Sequence, residues 1–257
     1  MALSTSSLTE TLFQMEQMND ASEVLEAILR CVHDSYTNVV DCHAKSHENN
    51  LGGSWDCAKS DCIAHNIFGA DVYTRINCSN CRLGSRQLKR TLFLHHINTG
   101  SLQRAMRMCP DNTFDDLLKT VIMDGHITCD PDVGGCGKSN HINHTLSCSP
   151  HVFTVVLEWR TGNGSVSDTL LSDILAAIGT EIDISVIYPG TSPRSKHSLV
   201  SVACFYNQRY ICFAVDSGQW VLYDDQTAKV VGDWIQVLMM CEEKEMQPLV
   251  LFFEGAN

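Results

Sequence analysis

Four cysteines fall into two widely separated pairs, Cys78-Ser-Asn-Cys81 and Cys129-Asp-Pro-Asp-Val-Gly-Gly-Cys136. Thiolate sulfur is a soft donor, and two such pairs brought together supply the tetrahedral four-sulfur shell that zinc takes in structural sites. A Cys-x2-Cys knuckle facing a distant second pair is how a zinc ribbon is held at the tips of two β-hairpins. The second pair is spaced more widely than the first, and Gly134 and Gly135 give its turn the freedom to bring both sulfurs to one ion. With every coordination position filled by protein, such an ion is structural. Four free thiols are the competing account.

A second group mixes donor types. Cys57, Cys62 and His65 read Cys-x4-Cys-x2-His, three ligands of the right kind and spacing for zinc. The fourth is either His33, at the end of a preceding helical stretch, or one of Cys42, His43 and His47 from a polar loop; His33 is the preferred candidate. Reduced structural thiols explain the same residues without a metal. Nearer the C-terminus, Arg209 and the pair Asp224-Asp225 stand at the ends of β-rich runs. A guanidinium is always protonated and can pair with such acids.

The elements that must position these groups are legible from periodicity. Residues 8–33 read as helical, with Val24, Leu25, Ile28, Leu29 and Val32 at i, i+3, i+4 spacing and Asn19 or Asp20 able to cap a helix starting at Ala21. Residues 41–53 are a polar loop. Residues 68–77 alternate as a strand does, residues 91–98 look like a strand, residues 111–119 form a capped short helix, and residues 150–159 are a buried strand. A helix over residues 167–178, capped by Ser167 or Asp168 and closed by Gly179, precedes a strand at residues 183–188. A loop over residues 189–197 leads into an antiparallel meander. Its strands flank Tyr206-Asn-Gln-Arg209, then follow Asp216-Ser-Gly218, then run over residues 228–231. An amphipathic helix at residues 234–241 and a strand at residues 247–253 close the chain.

Tyr210, Phe213, Trp220, Tyr223, Asp224, Asp225 and Val230 fall on the frame of the histidine box of the ubiquitin-specific proteases, the papain-like cysteine deubiquitinases. That box reads Gly-x-His-Tyr, then Trp-x-x-Phe/Tyr-Asp-Asp. The segment Asn19-Asp-Ala-Ser-Glu23 resembles the Gln-Asp-Ala-x-Glu-Phe opening of a thumb helix. The strand at residues 150–159 and the phrase Gln247-Pro-Leu-Val-Leu-Phe-Phe253 resemble palm segments. A cluster like Cys57, Cys62 and His65 occurs in a divergent branch whose members are often described as inactive. The resemblance implies an α+β fold with a palm, an antiparallel sheet and fingers bearing a zinc ribbon, most of the thumb being missing. On that frame residues 1–7 are a disordered tail, residues 8–40 a thumb remnant, residues 66–148 the fingers and residues 149–257 the palm.

The same frame puts Arg209 where the family has its catalytic histidine, and leaves Asp224 as an orienter with no imidazole to orient. The family's Asn-x-Cys nucleophile box is not present in the chain as given, and Asn77-Cys78 belongs to the knuckle. His197, before the meander, reads as a solvated loop histidine. The resemblance therefore implies a catalytically inactive protein that keeps a cradle for ubiquitin or a ubiquitinated protein. Two other readings are an active hydrolase lacking its N-terminal part and a zinc-stabilised scaffold without ubiquitin affinity. Loss of the thumb leaves an apolar palm face for a partner to cover.

Composition agrees with a globular chain. Apolar residues make up 44% of 257 residues, enough for a sizeable core. A net charge of −12 argues against a nucleic-acid partner and against anionic membranes. No signal peptide or membrane span is visible, which points to the cytosol or nucleus, and clustered cysteines there favour metal over disulfides.

Overall fold

The computed structural model describes residues 20–36, 57, 60–75, 77–84, 88–147, 149–159, 167–190 and 196–255. The first half of the expected N-terminal helix, the tail, the 41–53 loop with Cys42, His43 and His47, and the 162–166 turn lie outside them. Asp20 accepts a hydrogen bond from the Ser22 amide (2.9 Å) and starts helix α1, Ala21–Tyr36. A one-and-a-half-turn helix α2, Ile63–Phe68, precedes strand β1, Ala70–Arg75, so Phe68 ends a helix rather than opening a strand.

The run at residues 91–98 is two strands in two different sheets. Strand β2, Leu88–Leu92, pairs with β1, whereas β3, His95–Asn98, joins a larger sheet. Phe93 and Leu94, both buried, turn the chain between them. Helix α3, Thr99–Met108, was not expected. Its signal was present in Asn98, whose side chain accepts from the Ser101 amide (3.0 Å), and in Leu102 and Ala105 at i, i+3. Helix α4 runs over Phe114–Met123, displaced from the 111–119 expectation because Thr113 takes the cap position. Strand β4, His126–Thr128, and β5, Ser139–His141, form a two-stranded ribbon, and β6, Asn143–Leu146, completes the three-stranded sheet β2-β1-β6.

The large sheet holds β7, Val152–Glu158; β8, Glu181–Asp183; β9, Lys196–Tyr206; β10, Arg209–Asp216; β11, Gln219–Asp224; β12, Thr227–Gly232; and β13, Gln247–Gly255. Its order is β12-β11-β10-β9-β13-β7-β3, with β8 pairing onto β9. All neighbours are antiparallel except β3 and β7. Helix α5, Asp168–Ala177, is capped by Ser167 and ends at Ile178, one residue before Gly179. Helix α7, Trp234–Glu243, carries a full Asp233–Gln236 capping box.

Residues 184–187 correct a second expectation. Their β-branched composition suggested a strand, but they form a single helical turn, α6. Asp183 accepts from both the amide and the hydroxyl of Ser185 (2.9 and 2.6 Å), which nucleates the turn, and Ile184 and Ile187 point into the core.

Strand β7 shows how the core is built. Phe153, Val155 and Leu157 face a main core with α3, α4, α5 and α7, while Val156 faces a smaller cluster with Leu29 of α1 and Ala64 of α2. Alternate side chains leave opposite faces of a strand, so β7 is buried on both, which explains its nearly unbroken apolar run.

Candidate functional site

The meander turns place the acid–base residues. Strands β9 and β10 meet at a two-residue turn, Asn207 and Gln208, both left-handed (φ 49° and 63°), with Tyr206 paired to Arg209. This is the twist a tight hairpin requires. Arg209 thus leaves the start of β10 beside the end of β11, and its Nη2 donates to Asp224 Oδ2 at 2.7 Å. A second nitrogen lies 3.6 Å from Asp225. The pair lines an open groove with Gln226 and Thr227. The Arg209 side chain is 46% exposed, so the contact is worth no more than about 1 kcal/mol. The other oxygen, Asp224 Oδ1, is buried and receives no hydrogen bond from the described residues. The Asp224 carboxylate thus holds a permanently charged cation at this turn.

His197 is not the solvated loop residue expected. It lies in β9, buried, with Nε2 2.7 Å from the Pro150 carbonyl. Nine strand residues, roughly 30 Å at about 3.3 Å each, separate it from the Arg209 turn, so it cannot stand in for a base there.

Cys78, Cys81, Cys129 and Cys136 meet between the hairpins, their sulfurs all within 4.8 Å of one another. Two of the sulfur–sulfur separations are 3.4 and 3.6 Å. A tetrahedral shell with metal–sulfur bonds of about 2.3 Å needs about 3.7 Å, so the cage could hold a metal ion. Gly134 takes φ +86° after the short 3-10 turn Pro131–Val133, and the amide of Cys136 donates to the Cys129 sulfur at 3.4 Å. The six-residue spacing is absorbed there.

The electrostatics of the cage favour a cation. The backbone amide of Cys81 leads the causes that bring the Cys78 thiol down to about 6. The backbone amide of Lys138 likewise lowers Cys136. Cys129 receives the Cys136 amide, but burial and the neighbouring Cys81 and Cys78 sulfurs outweigh it and push its thiol up to about 12. Cys78 and Cys129 move in opposite directions because a thiolate disfavours ionisation of its neighbour, and a cation bound between them would relieve that repulsion.

Asn140 was missed by sequence reasoning. Buried, it accepts from the Ser79 amide (3.0 Å) and donates to the Lys138 carbonyl (2.8 Å), tying the knuckle to β5. No local pattern flags it, because its main partner lies 61 positions away.

The mixed cluster also assembles. His33, Cys57, Cys62 and His65 place one donor atom each within 4.8 Å of the others. Cys62 Sγ lies 3.6 Å from His33 Nδ1 and 3.2 Å from His65 Nδ1. Burial lowers the His33 pKa, helped by His65, which keeps that ring in the neutral, ligating form. Cys62 is fully buried and its thiol is pushed up by that burial. Among the described residues His33 is the fourth donor brought to the cluster; Cys42, His43 and His47 lie outside them.

The family model described as ubiquitin carboxyl-terminal hydrolase matches residues 1–253. The human protein "Ubiquitin carboxyl-terminal hydrolase 53" is 28% identical over 271 residues, covering 100% of this chain and 24% of its own length. The mouse "Ubiquitin carboxyl-terminal hydrolase 54" is 25% identical over 259 residues, 95% of this chain and 15% of its own. The chain thus spans a quarter or less of these relatives. Among solved structures, a SAGA DUB module of Ubp8, Sgf11, Sgf73 and Sus1 superposes with a TM-score of 0.60 at 17% identity, over 100% of this chain and 54% of that one. A module with the same components bound to monoubiquitin gives 0.58 at 16% identity, over 93% and 49%.

Proposed function

The chain belongs to the ubiquitin carboxyl-terminal hydrolase family, and from that premise we propose that it is a zinc-stabilised, ubiquitin-binding member that does not cleave isopeptide bonds. Its fold is that of the ubiquitin-specific proteases. The observation that carries the reading is Arg209, held 2.7 Å from Asp224 at the position that the family motif gives to its histidine. Cysteine-protease chemistry needs a base that accepts the thiol proton and returns it to the leaving amine. An arginine does neither, whatever segment precedes residue 1.

Binding does not require that step. The fingers and the palm sheet are present, and a structural neighbour of the same fold carries monoubiquitin. Zinc in the Cys78, Cys81, Cys129 and Cys136 cage would fix the finger hairpins for such a surface. Metal-held thiolates suit a reducing compartment, so we place the protein in the cytosol or nucleus.

The test is reaction of the purified chain with ubiquitin bearing a C-terminal thiol-reactive group, beside a titration with unmodified ubiquitin. Saturable binding without a covalent adduct is expected. An adduct would overturn the inactive reading, and absence of binding would leave the zinc-held scaffold.

A further inference from the structure

Helix α1 lies on the face of the large sheet opposite the main core. Of its sixteen residues only Ser22, Ala27, Leu29 and His33 are buried. Beneath it lie Leu29, Cys62, Ala64, Phe93, Leu94, Val156 and Val250, with Leu25, Val32 and Tyr36 of the helix packed partly buried against them. Helical stability in a protein comes mostly from tertiary packing, and most of this helix's apolar contacts are only partly buried. Its two ends are nevertheless tied. At the N-terminal end the first turn of α1 lies close to Tyr210, the residue next to Arg209: Asp20, Ala21 and Glu23 all act on its hydroxyl. At the other end His33, in the last turn, meets Cys57, Cys62 and His65.

We propose that His33, Cys57, Cys62 and His65 hold a second zinc ion that clamps α1 across the sheet and so sets its first turn against Tyr210. Two thiolates and two imidazoles form a closed tetrahedral set with no position left for substrate, so the ion acts as a tie and not as a catalyst. The donors are prepositioned by elements that the ion is not needed to form. Cys62 precedes the first turn of α2 and His65 sits within that helix. The His65 ring is held edge-on against Phe93, with centroids 4.9 Å apart. Only His33 comes from α1, about 18 Å from the Tyr210 contact at about 1.5 Å per helical residue. An ion at one end of a rigid helix therefore orders the other end, beside the Arg209 groove. The clamp is independent of whether the protein binds ubiquitin.

Zinc content of the purified chain, with hydrogen exchange of α1, tests this. The unsubstituted protein should carry two zinc ions per chain, and His33→Asn and Cys78→Ser/Cys81→Ser should each carry one. His33→Asn should raise exchange across α1 by tenfold or more and leave α5 protected. In the cobalt-loaded protein, His33→Asn combined with Cys57→Ser should remove about half as much thiolate charge-transfer absorption as loss of the four-cysteine cage, since two sulfurs are lost and not four. One zinc in the unsubstituted chain, abolished by Cys78→Ser/Cys81→Ser, would overturn the site. Zinc loss in His33→Asn without faster exchange in α1 would overturn the clamp. His33 stands at a helix end, so its variant should fold even where Cys62→Ser, at a fully buried position, does not.

Discussion

Adding one methyl group at Gly135 should cripple the four-cysteine cage. A Cβ built there would lie 2.3 Å from the Asp130 carbonyl oxygen, 2.7 Å from Cys129 Sγ and 2.8 Å from the Asp130 carbonyl carbon. Two of these neighbours are backbone atoms that cannot swing aside. One of them also accepts the Gly135 amide at 2.8 Å, so relief requires moving the loop that aims Cys129. Overpacking of this kind costs about 1–3 kcal/mol. Were that cost taken from metal binding, at about 1.4 kcal/mol per tenfold, Gly135→Ala would bind zinc about 5- to 150-fold more weakly. Gly134→Ala is the control. It meets nothing within 4 Å, although φ is +86°, so it bears only backbone strain of about 1–2 kcal/mol without pushing a ligand. Competition against a chromophoric chelator measures both affinities. Equal zinc affinity for Gly135→Ala and the unsubstituted protein would refute the packing argument. A larger loss for Gly134→Ala than for Gly135→Ala would show that turn strain, and not the crowding of Cys129, governs the site.

Gln208 occupies a left-handed position (φ 63°) without being glycine, so Gln208→Gly should raise the denaturation midpoint by the equivalent of about 0.5–1 kcal/mol. An unchanged or lowered midpoint counts against strain at this turn. Arg209→Ala should alter stability by less than about 1 kcal/mol, since the guanidinium is half exposed, and should produce no adduct with thiol-reactive ubiquitin; urea titration and gel shift report the two. His95, stacked on Phe153 at 4.1 Å, is lowered to about 4 by burial. Between its unfolded pKa of about 6.5 and that folded value the unfolded state binds the extra proton, so stability is full above about pH 6.5 and declines as pH falls toward 4, by a few kcal/mol. His95→Phe should flatten that part of the pH–stability curve relative to the unsubstituted protein, and identical slopes would remove His95 as its cause.

Local chemistry made much of this legible beforehand. The meander could be read because its turns use Asn207-Gln208 and Ser217-Gly218 between alternating strands, and both signals are short-range. The Cys-x2-Cys knuckle and the Asp20 cap are short-range for the same reason. The errors share an opposite cause. Residues 91–98 look like one strand, and nothing local says that Phe93 and Leu94 divide them between two sheets. Residues 184–187 have a strand's composition, yet the Asp183–Ser185 bonds and burial of Ile184 and Ile187 make a helical turn.

The sequence by itself determined which groups can do chemistry: soft thiolate donors in pairs, an always-charged arginine beside two acids, and the alternation that builds strands. Those properties belong to residue types and to spacings of a few positions. Tertiary structure alone decided which of them meet. It brought His33 to Cys57, Cys62 and His65, buried His197 in β9 away from the Arg209 turn, and brought Asn140 beneath Ser79. Such contacts join residues tens of positions apart, and they form only when burial of the shared core has compensated the entropy of closing those loops.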